Sequence, residues 1–288
     1  MKKNFLLVPA ILLAVVIALF IKLNATESRL PQSSIDMPLT VHYVDVGQAD
    51  CTLIQLPDGK TMLIDAGNND DADLIVAYLK RQGIQKLDYV IGTHPHEDHI
   101  GSLDAVIDTF DIVDIYMPKA SANTKTYRDV LTSIQKKGLS IHTAKGGMTV
   151  FDTGDTKAEL LAPNSDTYKS LNNYSVVLKL SYQDTSFLFC GDAEKESEKE
   201  ILQSGSPLSS NVLKVGHHGS ASSTTDAFLS AVNPDIAVIT CGKDNSYGHP
   251  HKETLQKLAQ RNINVFRTDE SGTVVLGSNG KQIAQKQE

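Results

Sequence analysis

The six residues from His94 to His99 (HPHEDH) place three histidines and an aspartate directly behind an apolar run, LDYVIG at 87–92. Ionisable side chains at the end of a buried strand cost free energy unless something compensates them. His94 and His96 are two apart, so on a loop both rings can turn toward one ion. Asp98 and His99 are adjacent and can serve a second ion beside the first. Imidazole and carboxylate together suit zinc, manganese or iron, and the lack of cysteine ligands argues against a structural zinc site. The plain alternative is a solvated loop that caps the next helix. With nine histidines in the chain and three in this hexapeptide, that alternative is disfavoured. A strand must deliver this loop, and other strands must bring the remaining ligands to it.

Composition narrows the partners. The 288 residues are 41% hydrophobic, enough for a large core, and carry 27 basic against 34 acidic side chains for a net charge of -7. An acidic chain without a lysine- or arginine-rich run past its N-terminus is not built for long-range capture of nucleic acid. Cys51, Cys190 and Cys241 lie in or beside apolar runs, without CxxC spacing. They read as buried thiols.

Residues 1–38 form a segment apart. Lys2 and Lys3 precede 17 apolar residues, Phe5 to Ile21, and Lys22 follows. That length is at the short end of the ~17–25 residues of a transmembrane helix and long for a signal-peptide core. No small-x-small cleavage site follows, which favours an uncleaved membrane anchor over a cleaved signal. The two lysines are expected to stay inside, leaving the rest membrane-anchored and facing the cell exterior, or secreted. A polar, proline-containing linker then leads to residues 39–288.

That second segment reads as one domain. Strand-like runs (TVHYVDV, CTLIQL, TMLIDAG, LDYVIGT, IVDIYMP) are followed later by SVVLKLSY, TSFLFCGD, NVLKVGHHG, IAVITCG, INVFRTD and GTVVLGS. Helical spacing over 71–83 ends at Gly83, and further helical stretches lie near 193–203, 224–232 and 251–262. Strands joined by both hairpins and crossovers suggest two mixed sheets packed together with helices outside.

HPHEDH fits the HxHxDH signature of the metallo-β-lactamase superfamily, and the chain resembles that family in the order of its other motifs. LIDAG lies upstream of it, and FLFCGD and LKVGHHGS follow. The resemblance implies an α/β (α+β) fold, an αββα sandwich, here preceded by one N-terminal apolar helix. It also implies two divalent metal ions, zinc or manganese. His94, His96, Asp98 and His99 would be ligands, Asp192 the carboxylate shared by both ions, and Asp65 a support behind the ligand loop. Of the adjacent pair His217 and His218, the second is assigned to metal and the first to substrate. His217, His249 and Asp98 are the candidate catalytic groups, with His217 or His249 offering a hydrogen bond to phosphate or a proton to the leaving group. His251 is a weaker candidate.

One position departs from the superfamily. Where most members carry a further metal histidine, this chain reads SLNNYSVVLKL, with Asn172 and Asn173 in the usual place and Asn173 assigned a supporting role. The only histidine in that interval, His142, comes too early. The departure, with YGHPHKE and the other motifs, resembles the extracellular hydrolase domain of the ComEC family of DNA-uptake competence proteins. Surface phosphorylcholine esterases share much of it. With its one apolar segment, the chain resembles that hydrolase domain alone on its own anchor. The implied function is a phosphodiesterase or nuclease acting on DNA or another phosphoester, with a competence-machinery partner left unknown. The alternatives are a phosphorylcholine-type esterase, a lactonase or β-lactamase-like hydrolase, and a non-catalytic binding module.

Overall fold

Strand β1 (Leu39–Tyr43) alternates strictly: His42 lies against Tyr78 on a neighbouring helix, while Tyr43 meets Phe189 of the opposite sheet with ring centroids 6.1 Å apart. Such period-2 alternation, with both faces buried, is what a strand between a helical layer and a second sheet requires. The computed structural model describes residues 36–286. The apolar run Phe5 to Ile21 and its flanking lysines lie outside the described residues. Among the described residues no helix is long and apolar enough to cross a membrane.

After β1 come β2 (Thr52–Gln55), β3 (Thr61–Ile64), β4 (Lys86–Ile91), β5 (Asp111–Pro118) and β6 (Ile141–Ala144). The second half supplies β7 (Thr149–Asp152), β8 (Thr156–Ala162), β9 (Val177–Tyr182), β10 (Thr185–Phe189), β11 (Val212–Lys214), β12 (Ile236–Ile239) and β13 (Asn264–Arg267). Finally β14 (Val274–Ser278) and β15 (Ile283–Lys286) return to the first sheet. One sheet has the order β15-β14-β1-β2-β3-β4-β5-β6 and the other β13-β12-β11-β10-β9-β8-β7. Each is antiparallel at one end and parallel at the other, through β3-β4-β5-β6 and β10-β11-β12-β13.

Helices α1 (Ala72–Arg81), α2 (Glu97–Ile100), α3 (Leu103–Thr109) and α4 (Lys125–Lys136) belong to the first half. Of these, α1, α3 and α4 bury Ile75, Leu79, Leu103, Ile107, Val130 and Ile134 against Leu53, Leu63 and Val90 of the first sheet. Helices α5 (Lys195–Ser204), α6 (Asp226–Val232) and α7 (Lys252–Gln260) do the same with Ile201, Phe228, Leu229 and Leu258 against Leu188, Leu213 and Ala237. The result is the two-sheet sandwich with outer helices that the sequence suggests. The three cysteines are free and buried, as their apolar surroundings imply.

Crossovers in the parallel portions leave a crevice at the carboxyl ends of the strands, where ligand sites of open α/β sheets gather. Asp65 follows β3, Thr93 to His96 follow β4, Asp192 follows β10, and His217 and His218 follow β11. Gly101 ends the motif because nothing larger fits. A Cβ there would lie 2.2 Å from the backbone carbon of Asn68, so the ligand loop packs directly on the loop after Asp65.

Candidate metal centre

The loop after β4 is pinned by Asp65. Its Oδ1 accepts the Thr93 backbone N–H at 2.7 Å, and its Oδ2 accepts the Thr93 hydroxyl at 2.7 Å and His99 Nδ1 at 2.8 Å. With the Nδ1 proton so held, His99 Nε2 keeps its lone pair for an ion. His218 is oriented the same way, its Nδ1 donating to the Thr240 carbonyl at 2.9 Å. The ring of His94 is set by Thr93 Oγ1 and Ser175 Oγ, 3.2 and 3.3 Å from its Nδ1. Asp65, His217 and His218 all have positive φ, at 60°, 51° and 51°. Left-handed backbone at non-glycine residues is held only where its surroundings impose it, and here it delivers site side chains.

Two donor groups share Asp192. One is His94, His96 and Asp192; the other is Asp98, His99, Asp192 and His218. His94 Nε2 lies 2.9 Å from His96 Nδ1 and 3.9 Å from Asp192 Oδ2. Asp192 Oδ1 lies 3.2 Å from His99 Nε2 and 3.6 Å from His218 Nε2. Asp98 Oδ2 is 3.3 Å from His218 Nε2. The carboxylate therefore presents one oxygen to each group.

His99 Nε2, His218 Nε2 and Asp192 Oδ1 are buried with no hydrogen-bond partner. Orphaned donors converging on an orphaned carboxylate oxygen are expensive in a closed interior and are what a divalent ion would satisfy. The residues present thus fit the metals the fold family holds. A third buried group, Asp50, Asp65 and His99, is different: its carboxylates are already bonded to Lys214, Thr240 and Thr93.

Charge follows this geometry. Burial raises the Asp192 carboxyl, but His99 and His218 outweigh it and hold the group well below the usual carboxylate range. Burial lowers His99, but Asp192, Asp65 and Asp98 outweigh it and raise it well above 6.5. His218 is raised for the same reason, chiefly by Asp192 and Asp50 against burial. At neutral pH the metal-free site therefore holds protons that an ion must displace. Metal affinity should rise with pH through neutrality, by about tenfold per unit for each proton released. Calorimetry in buffers of different protonation enthalpy measures that release, and an affinity flat between pH 6 and 8 would show that the rings enter neutral.

The site opens into a cavity of about 330 Å³ lined by Gln48, His96, Glu97, Asp98, Asn172, Asp192, His217, His218, Tyr247 and His249. His217 falls outside both donor groups. Its Nε2 is 3.5 Å from Asp192 Oδ2 and its Nδ1 is 3.1 Å from Ser222 Oγ, so it faces the cavity from beside the shared carboxylate. His249 is pushed down to about 4 by burial and by His217, His218 and His251, and so stays neutral at physiological pH. Gln48 Oε1 accepts the Gly242 N–H at 3.0 Å, which turns the Gln48 amide nitrogen, 3.3 Å away, to donate to His249 Nδ1. His249 therefore carries its proton on Nε2. That makes it a neutral hydrogen-bond donor toward the cavity.

Two candidates lie elsewhere. The Asn173 carbonyl accepts the Glu194 and Ser197 N–H groups, and its amide lies 3.4 to 3.5 Å from Glu196 and Glu194. Its side chain thus serves the start of α5, and Asn172, with a buried unpartnered Oδ1, is the asparagine that lines the cavity. His251 accepts the Ala221 N–H at 2.9 Å at the start of α7 and does not line the cavity. His142 pairs with Asp114 on the first sheet. Sequence reasoning assigned no role to Asp50 and Lys214, which lie buried beneath the cluster. Asp50 bonds Lys214 and Thr240 and approaches His218 Nδ1 at 3.4 Å. A lysine inside the apolar run NVLKVG was the available signal, because a buried cation needs a counter-charge.

A shared carboxylate between two histidine-rich groups, at the strand ends of an αββα sandwich, defines a metal-dependent hydrolase fold. The chain belongs to the metallo-beta-lactamase superfamily, whose family model matches residues 44–243. Among characterised relatives it is 32% identical over 251 residues to ComE operon protein 3 of Bacillus subtilis (strain 168), covering 81% of this chain and 32% of that protein. It is 30% identical over 242 residues to Recombination protein 2 of Haemophilus influenzae, covering 81% of this chain and 28% of that one. The chain thus spans about a third of the length of these relatives. In fold it is similar to YhfI of Bacillus subtilis, with a TM-score of 0.52 at 14% identity over 81% of this chain and 96% of that one. It is also similar to CmlA, a diiron beta-hydroxylase of Streptomyces venezuelae, with a TM-score of 0.56 at 13% identity over 85% and 55% of the two chains.

Proposed function

We propose that this protein is a phosphodiesterase, acting on DNA or a related phosphoester outside the cytoplasmic membrane. The observation that carries the reading is the pair of donor groups sharing Asp192 at the floor of one open cavity. His94, His96 and Asp192 would hold one ion, and Asp98, His99, His218 and Asp192 the other; zinc or manganese suits these donors. Such ions supply Lewis acidity, which acidifies water and offsets charge on a phosphoryl group. Around them, Asp65 and Thr240 fix the ring orientations, and His217 and neutral His249 offer hydrogen bonds to phosphoryl oxygens. Among the described residues no lysine or arginine lines the cavity, so a phosphate there depends on the ions for charge compensation. The names ComE operon protein 3 and, for a relative in Neisseria gonorrhoeae, Competence protein ComA, favour DNA as the phosphoester. The apolar run Phe5 to Ile21 would hold the site at the outer membrane face, where incoming DNA is met and where a competence partner would dock.

The test is a metal-reconstituted assay run in parallel on single-stranded DNA, bis-p-nitrophenyl phosphate and phosphorylcholine esters. Cleavage of the first two, dependent on zinc or manganese and abolished by chelation, is expected. Cleavage of phosphorylcholine esters alone would favour the surface-esterase reading. Metal uptake without any hydrolysis would point to a binding module.

A further inference from the structure

Among the described residues, Tyr247 stands out from the other exposed large hydrophobic side chains: at 68% it is more exposed than Leu74, Val113 or Ile141, and it is the only aromatic among them. It also lines the catalytic cavity, which the other three do not. Its ring lies 5.6 Å from that of His249 and 20° from parallel. The His249 ring in turn lies 6.3 Å from that of His218 and 24° from parallel. Three nearly parallel rings thus step outward from a metal-ligand histidine to solvent.

The loop that carries Tyr247 is braced. Asn245 donates to the Gly242 carbonyl at 2.9 Å and accepts the His249 N–H at 3.0 Å, while Gln48 bonds both Gly242 and His249. An aromatic ring kept in water by a braced loop, with His249 beside it, is pre-organised to receive a flat partner.

We infer that Tyr247 is a stacking platform for a nucleobase next to the phosphoryl site, so that the substrate is a single-stranded nucleic acid or its end. The inference rests on the phosphodiesterase reading and names its substrate class. Asp192 and Tyr247 line one cavity, so a phosphate at the first leaves its base within the space that the second borders. Among the described residues, none that lines the cavity is a lysine or arginine able to grip further phosphates, so stacking supplies a contact to hold the strand. A quaternary ammonium group would call for a cage of several aromatic rings. Among the described residues Tyr247 is the only phenylalanine or tyrosine lining this cavity.

The experiment compares two single-stranded oligonucleotides of equal phosphate number, one bearing bases and one abasic, on metal-loaded protein. The readout is the ratio of their kcat/KM values. Base-to-aromatic stacking at one ring makes Tyr247→Ala lower this ratio about tenfold, whereas Tyr247→Phe keeps it. As a second readout, the fluorescence of 2-aminopurine in a phosphorothioate-linked strand is quenched on binding to the parent protein and less so with Tyr247→Ala. An unchanged ratio in Tyr247→Ala, with both oligonucleotides cleaved, overturns the platform and leaves the phosphodiesterase reading standing. Cleavage of neither oligonucleotide by the parent protein removes both.

Discussion

Asp192→Ala should lose hydrolysis by on the order of 10³-fold or more, together with stoichiometric metal binding. Each of its oxygens faces a different donor group: Oδ1 toward His99 and His218, Oδ2 toward His94. Removing it leaves His94 and His96 without an anionic ligand and the second group one ligand short. Several kcal/mol of charge stabilisation at a dinuclear site correspond to that loss in rate. The metal-free variant should still fold, because His99 keeps its bond to Asp65 and Asp98 still faces it, so no buried charge is left without a partner. Metal content by elemental analysis and turnover on bis-p-nitrophenyl phosphate give the answer together. Two ions per chain in a fully active variant would show that Asp192 does not bridge.

The second large effect is on stability. Lys214 and Asp50 form a buried ion pair, with side chains 3% and 5% exposed. Burial raises the Asp50 carboxyl, but Lys214, His218 and His99 outweigh it, and the group is held below its ordinary value. Lys214→Met removes the nearest cation and leaves a carboxylate in the interior, which typically costs about 3–5 kcal/mol. Chemical denaturation of metal-free protein at pH 7 measures it, since bound metal would mask the loss. Adding Asp50→Asn should recover much of the stability, because the charge stranded by the first change is then absent. A single variant within 1 kcal/mol of the parent would mean that His99 and His218 suffice as counter-charges. The sign with pH follows from the lowered Asp50 value. Its stability contribution is present above the ordinary carboxylate range and is lost as pH falls through the lowered value.

The chemistry of this site was largely legible in the chain itself. A histidine-rich hexapeptide behind an apolar strand marks candidate metal ligands, and the fold gathers those side chains into two groups that share Asp192. Alternation in TVHYVDV and helical spacing in DADLIVAYLKRQG specify the layers, because each period fixes which side chains share a face. The helix Lys125–Lys136 is poorly legible in the sequence, although Thr124 caps it, its hydroxyl accepting the Tyr127 N–H at 3.2 Å. Only two long apolar residues on the buried side, Val130 and Ile134, mark its inward face, so its periodicity is faint.

Tertiary structure decided what spacing could not. Asn172 and Asn173 are adjacent and chemically identical, yet a short 3₁₀ turn at Leu171–Tyr174 gives one to the cavity and the other to a helix end. His217 and His218 are likewise adjacent, and two successive left-handed backbone conformations set one beside the shared carboxylate and the other in a donor group. Asp50, on the loop between β1 and β2, and Lys214, at the end of β11, are 164 residues apart and meet only because the two sheets face each other. The sequence by itself determined which groups can bind metal, since that is a property of side-chain type and local spacing. Which of two neighbours does so, and what charge lies behind it, depended on long-range packing, since that alone sets direction and burial.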